Sequence, residues 1–188
     1  MNDTKGKILD TMYDLVAEIG YDKASIGKIC DRVGISKPSV YYYFASKEEI
    51  FTTMLDNMFP TIDYEEGYST ITDVEEYKAG LIELGNMIID NYRDDEKRRN
   101  VLAELSIQAN RIPALAQRQI DSINRTMGII RDILDHGKEI GAFPPSFDAD
   151  HATQILYTLI EGMSQTVVQH EDIDEKEVWA SVVRMLFK

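Results

Sequence analysis

Apolar positions recur along this chain at the three-to-four-residue spacing of α-helices, and no segment alternates as a half-buried strand would. The pattern predicts a first helix from about Lys5 to Ile19. A second apolar face follows at Ile26, Ile29, Cys30 and Val33, with Lys28 and Arg32 off it. Ser25 stands where its hydroxyl can cap this helix. Gly34 ends it, since glycine takes positive φ without steric cost. Ile35 can then plug the angle to a third, shorter helix. That helix is capped by Ser36 and carries Pro38 in its first turn, where the missing N–H costs little. Val40 and Phe44, four apart, turn to the core. Lys37, Ser39, Tyr42 and Tyr43 are left facing outward, with Tyr41 near the border. Ser46-Lys47-Glu48-Glu49 reads as a capping box that opens a fourth helix, running to about Phe59 and stopped by Pro60.

Beyond a polar loop at 60–71, Thr72-Asp73-Val74-Glu75 reads as a second capping box, with a helix to about Tyr92. Asp94-Asp95-Glu96 places negative charge at the start of another, ending near Asn110 ahead of Pro113. Pro113 opens a long helix that ends at Gly141 and Pro144-Pro145. Asp148 caps the next, whose apolar residues cover more than one face, so both faces must be buried. The last helix, from about Glu175, is likewise apolar beyond a narrow stripe. Two terminal helices with surplus apolar surface call for a further partner. The simplest is the same pair in a second copy, meeting across a two-fold axis. Leu156, Leu159, Met163, Trp179 and Val183 are the candidate interface residues.

The segment 25–47 carries the chemistry. A short, basic, tyrosine-rich helix behind a glycine turn is what a helix lying against DNA requires. From about Lys7 to Leu55 the chain resembles the DNA-binding domain of the tetracycline-repressor (TetR) family. The resemblance rests on Ile8-Leu9, Gly20-Tyr21, Ile29 through Gly34-Ile35-Ser36, Tyr41, Tyr43-Phe44 and Lys47-Glu48. It implies that the third helix enters the major groove and that the lysine opening the fourth meets phosphate. Lys37, Pro38, Ser39 and Tyr43 become base-side candidates; Ser25, Tyr41, Tyr42 and Lys47 become phosphate candidates. Gly27 departs from relatives that place a long, base-reaching side chain there. A weaker likeness runs from Gly137 to Gly162, and the family's usual dimer interface is this same carboxy-terminal helix pair.

The net charge of −13 at first opposes DNA binding, but its distribution does not. Residues 1–50 carry seven Lys and Arg against eight Asp and Glu, and the remaining −12 lies beyond them. Within 23–47 five basic residues face Asp31 alone, a local +4. At a Debye length of about 8 Å, distant acidic groups repel DNA only weakly. Cys30 is the single cysteine, which fits a reducing compartment and a small apolar role on the buried face. No apolar leader core follows MNDTKGK and no apolar run approaches bilayer length, so a cytoplasmic protein with no membrane contact is expected.

The resemblance also implies a ligand cavity inside the carboxy-terminal helices, whose occupation changes the spacing of two reading heads. Candidate lining residues are Met58, Met87, Leu105, Gln108, Asn124, Met127, Tyr157 and Glu161, a mixture of adaptable apolar and orienting polar groups. Glu104 and Glu161, if both face inward, would favour a cationic ligand. Against an enzyme, His136, His151 and His170 form no i, i+4 pair, and neither a nucleophile elbow nor a phosphate-cradling glycine loop occurs. His151 beside Asp148 and Asp150 reads as a helix start before it reads as a metal site, and no metal or cofactor is expected. The sequence thus predicts an all-α protein of about nine helices. Residues 1–46 form a helix-turn-helix DNA-binding domain, and 47–188 a connecting helix with a ligand-sensing and dimerisation domain. Its expected partners are double-stranded DNA, a second copy and a small-molecule effector. The competing reading is a helical small-molecule-binding or interaction protein without DNA-binding activity.

Overall fold

The computed structural model describes residues 3–58, 67–169 and 172–187. Among them are nine α-helices and no strand: α1 (Thr4–Ile19), α2 (Ile26–Val33), α3 (Lys37–Tyr43), α4 (Lys47–Met58), α5 (Val74–Asp94), α6 (Glu96–Ala109), α7 (Pro113–Glu139), α8 (Ala149–Gln169) and α9 (Glu175–Leu186). The expected stop at Pro60 and most of the 60–71 loop lie outside the described residues. One cap is shifted by a residue from expectation. Asp73, not Thr72, accepts from the Glu76 N–H at 2.9 Å, so α5 begins at Val74. In the first box, Ser46 Oγ accepts from the Glu49 N–H at 3.1 Å, while the Glu49 carboxylate reaches Ala45 N–H instead of Ser46.

The chain divides into two compact units: Met1–Ile62 with Glu96–Gln119, and Asp63–Asp95 with Ile120–Lys188. This division does not fall at 46/47. In the first unit Ile8, Met12, Leu15 and Val16 of α1 share a core with Ile29, Val40 and Phe44, and with Ile50, Phe51 and Met54 of α4. Helix α6 adds Val101 and Leu105 to that same core. Its polar face explains the attachment. Lys97 pairs with Asp14 at 2.6 Å, and Asn100 Nδ2 donates to Ala17 O at 3.2 Å. Glu104 Oε2 accepts from the Tyr21 N–H at 3.1 Å. Asn100 and Glu104, four apart, satisfy backbone left open where α1 ends, and Lys97 adds an ion pair beside them. Periodicity alone locates α6 but cannot name the helix it packs on.

In the second unit Tyr77, Leu81, Gly85 and Ile89 form the buried stripe of α5, facing α8 and α9. The Trp179 indole N–H donates to Leu81 O at 2.9 Å, and the ring occupies the space that a side chain at Gly85 would need. Tyr77 donates to Ile133 O at 2.7 Å from a fully buried position. Burial pushes its phenol well above the ordinary range.

Candidate nucleic-acid interface

The reading surface is built from two caps and a turn. Ser25 Oγ accepts from the Lys28 N–H at 3.3 Å and starts α2. Gly34 closes it in the left-handed conformation, at φ 77°, with its N–H on Cys30 O at 2.8 Å. Ser36 Oγ then accepts from the Ser39 N–H at 3.4 Å and lies 2.9 Å from Ser39 Oγ, opening α3. Val40 and Phe44 are buried as expected. With that face fixed, a rotation of about 100° per residue decides the rest. Tyr41 and Tyr42 swing outward, 53% and 82% exposed, whereas Tyr43, three residues after Val40, returns toward the core at 38%. The border position is thus Tyr43, not Tyr41. Tyr42 and Tyr43 meet edge to face, ring centroids 5.0 Å apart.

Lys37 and Pro38 are exposed, and Ser39 is half-buried. The Lys37 stem passes 3.9 Å from where Gly27 would carry a Cβ, so the two positions are neighbours on this surface. Not every cation on this side is available. Arg32 forms a two-pronged pair with Glu18, at 3.1 and 2.5 Å, and Lys28 Nζ donates to Lys23 O at 3.1 Å. Lys47 is turned inward. Its ammonium donates to Tyr21 O at 2.9 Å and Ala24 O at 3.1 Å, and lies 4.0 Å from the centroid of the Tyr21 ring. Burial lowers its pKa. Cys30 is a free, buried thiol on the inner face of α2.

The ligand candidates separate. Leu105 and Gln108 are buried in the first unit, the Gln108 amide 3.5 Å from Asp22 Oδ1, and Met58 packs against the same core. Those three serve the helical core there. Glu104 belongs to the first unit, where its carboxylate accepts from the Tyr21 N–H. Met87, Asn124, Met127, Tyr157 and Glu161 belong to the second unit, where Met87, Asn124 and Glu161 are exposed. Tyr157 and Glu161, one turn apart on α8, do come together. Burial, the Glu161 charge and hydrogen bond, and nearby Tyr92 push the Tyr157 phenol up to about 12.

The dimer candidates need correction. Leu156, Met163, Trp179 and Val183 are buried within the second unit's own core; only Leu159 remains partly open. The surplus apolar surface is real but lies on the other face of the same helices. Ile155, Val178 and Met185 are exposed there, and an open groove of about 770 Å³ runs along α8 and α9. The sequence signal was available in Ile155, Leu159 and Gly162. What it lacked was which of two apolar faces α5 would cover. His151 and Asp148 form a helix start: Asp148 Oδ1 accepts from the His151 N–H at 3.1 Å and Oδ2 lies 2.7 Å from its Nδ1. Among the described residues no three potential ligands converge on a metal position, and no helix is long and apolar enough to cross a membrane.

Two family models match this chain. Residues 8–54 fit one described as bacterial regulatory proteins, tetR family, and residues 83–186 one described as BetI-type transcriptional repressor, C-terminal. The fatty acid metabolism regulator protein of Bacillus subtilis is 22% identical over 184 residues, covering 96% of this chain and 92% of that one. A crystal structure of a TetR transcription regulator from Haloarcula marismortui superposes with a TM-score of 0.79 at 24% identity, over 99% of this chain and 97% of that one. The transcriptional regulator FadR from Bacillus subtilis, solved with stearoyl-CoA, gives 0.70 at 22% identity, over 97% of each chain. These likenesses share the helical fold described above, and the family models cover both the helix-turn-helix and more than half of the chain beyond it. The chain belongs to the tetR family of transcriptional regulators.

Proposed function

We propose that this regulator is a repressor that binds a palindromic operator as a homodimer and leaves it when a small molecule binds the second unit. The observation that carries the DNA-binding part is the outward face of α3. Lys37, Tyr41 and Tyr42 project from a helix whose caps and core contacts leave them no structural duty. Such a helix suits the major groove, with phosphate contacts setting register and base-edge contacts setting sequence. Residues 1–46 supply this contact surface, with Ser25, Lys37, Pro38, Ser39 and Tyr41 to Tyr43 as its members. Lys47 supports it from behind.

Dimerisation follows from physical need. One small reading head gives limited affinity, whereas two heads on a two-fold axis read two half-sites. The exposed apolar face of α8 and α9 is the surface for it. For the effector, the second unit offers Met87, Met127 and the Tyr157–Glu161 pair. The FadR relative solved with stearoyl-CoA supports a largely apolar ligand. Release requires that such a ligand bind the DNA-free arrangement more tightly than the DNA-bound one. The acidic remainder of the chain fits a protein that works in solution.

Selection of bound sequences from a random DNA pool tests this reading. A palindromic consensus is the expected result. Failure to enrich any sequence would favour a helical binding protein without DNA-binding activity. Titration of the purified protein on its selected site with neutral, acyl-anionic and cationic apolar compounds then tests release.

A further inference from the structure

The buried stripe of α1 runs through Ile8, Leu9, Met12, Leu15 and Val16, and Lys5 stands one turn ahead on the same face. The stripe therefore leaves the core at its first turn and ends in an ammonium. That turn is fixed: Asp3 Oδ1 accepts from the Gly6 N–H at 2.8 Å, and Asp3 O from the Lys7 N–H at 3.1 Å. Ile8 and Met12 share a core with Val40 and Phe44 of the reading head. Lys5 Nζ lies 5.6 Å from the centroid of the Phe44 ring, within the range of a cation–π contact. Phe44 is the C-cap of α3, directly after Tyr41, Tyr42 and Tyr43. An exposed lysine from another helix thus stands at the opposite end of α3 from Lys37.

The charge of Lys5 is not spent inside the protein. Among the described residues no carboxylate pairs with it, and the Asp3 carboxylate two residues away caps its own helix. Other cations of this unit are engaged: Arg32 pairs with Glu18, and Lys47 is turned onto the Tyr21 and Ala24 carbonyls. The seven residues of α3 span roughly 10 Å, close to the width of the major groove at about 12 Å. A helix seated there has a phosphate strand on each flank. We propose that Lys5 is a phosphate contact that fixes the Phe44 end of α3 against the DNA backbone. The Phe44 ring restricts where the ammonium can go, so less side-chain freedom is lost on binding. Phosphate carries no base identity, so Lys5 contributes affinity and register but no sequence preference. This rests on the DNA-binding reading of α3 above and adds a contact from outside the helix-turn-helix.

The test is the salt dependence of binding, measured by fluorescence anisotropy with the full chain on its selected duplex. Lys5→Met keeps an apolar stem on Phe44 and removes the charge. The expected result is a slope of log K against log salt shallower by about 0.9 for each head that touches DNA. Affinity should fall by the same factor on the selected site and on a scrambled duplex, with the selected consensus unchanged. Lys5→Arg should restore the wild-type slope. A lysine that only braces Phe44 would behave otherwise: Lys5→Met would lower stability in urea and leave the slope as it was. That outcome, or an altered consensus, overturns the assignment. Should Lys5→Met fold poorly, the slope of Lys5→Gln decides. If the wild-type chain binds no duplex, the DNA-binding reading fails and this contact with it. Wild-type binding with an unaltered Lys5→Met slope removes the Lys5 contact alone.

Discussion

The Lys47 ammonium lies over the Tyr21 ring and donates to the Tyr21 carbonyl, 4.0 Å from the ring centroid and 2.9 Å from the oxygen. It also takes the Ala24 carbonyl, so one side chain ties the start of α4 to the turn ahead of α2. A lysine assigned by resemblance to phosphate therefore has a structural duty. Lys47→Met keeps the stem and removes the charge. It should lower the stability of the first unit by about 1–2 kcal/mol, the range for a partly buried cation–π contact with charge-assisted hydrogen bonds. Urea unfolding measures that loss. Unchanged stability with weakened DNA binding would return Lys47 to the phosphate role.

Tyr42 gives the opposite expectation. Its ring is 82% exposed and supports no core. Tyr42→Ala should change unfolding free energy by less than about 0.5 kcal/mol, as surface substitutions usually do. Operator affinity should fall about tenfold, the order of one hydrogen bond to a charged group. Tyr42→Phe should lose nearly as much if the phenol O–H meets phosphate, and little if the ring alone matters. A salt-controlled mobility shift separates these results.

Lys37 is expected to read a base because it is exposed at the start of α3, beside Gly27. Lys37→Ala should relax preference at one position of each half-site, worth about 1–3 kcal/mol of discrimination. Binding-site selection with the variant measures it. An identical consensus would exclude Lys37 from base contact. Gly27→Arg should shift the same position, since the new side chain would stand beside Lys37.

Gly85 and Trp179 are packed directly against each other. A Cβ at Gly85 would come within 1.9 Å of the Trp179 ring nitrogen. Gly85→Ala should therefore destabilise the protein by about 3 kcal/mol, the upper end of overpacking costs, despite alanine's better helix propensity. Thermal unfolding tests this, and a neutral or stabilising result would mean the indole sits elsewhere. Val183→Asp should unfold the second unit rather than merely separate subunits, because Val183 is fully buried in that unit's core. Native-like circular dichroism with a monomeric sedimentation profile would contradict this.

Much of the helix order, and the reading head within it, was legible before any coordinates. Caps such as Ser25, Ser36 and Asp148 act over three residues, and the Gly34 turn requires a conformation only glycine adopts cheaply. Those interactions are local, so the sequence alone determined them. Periodicity likewise separated Val40 and Phe44 from the outward residues of α3, missing only the order of Tyr41 and Tyr43. What tertiary structure decided was partnership. Nothing local states that α6 would attach to α1 through Lys97, Asn100 and Glu104. Nor does it state that Trp179 would dock on Gly85, which turns one apolar face of α9 inward and leaves the groove on the other. A helix with two apolar faces has two possible partners at equal hydrophobic gain, and only steric fit between distant residues selects which face is covered.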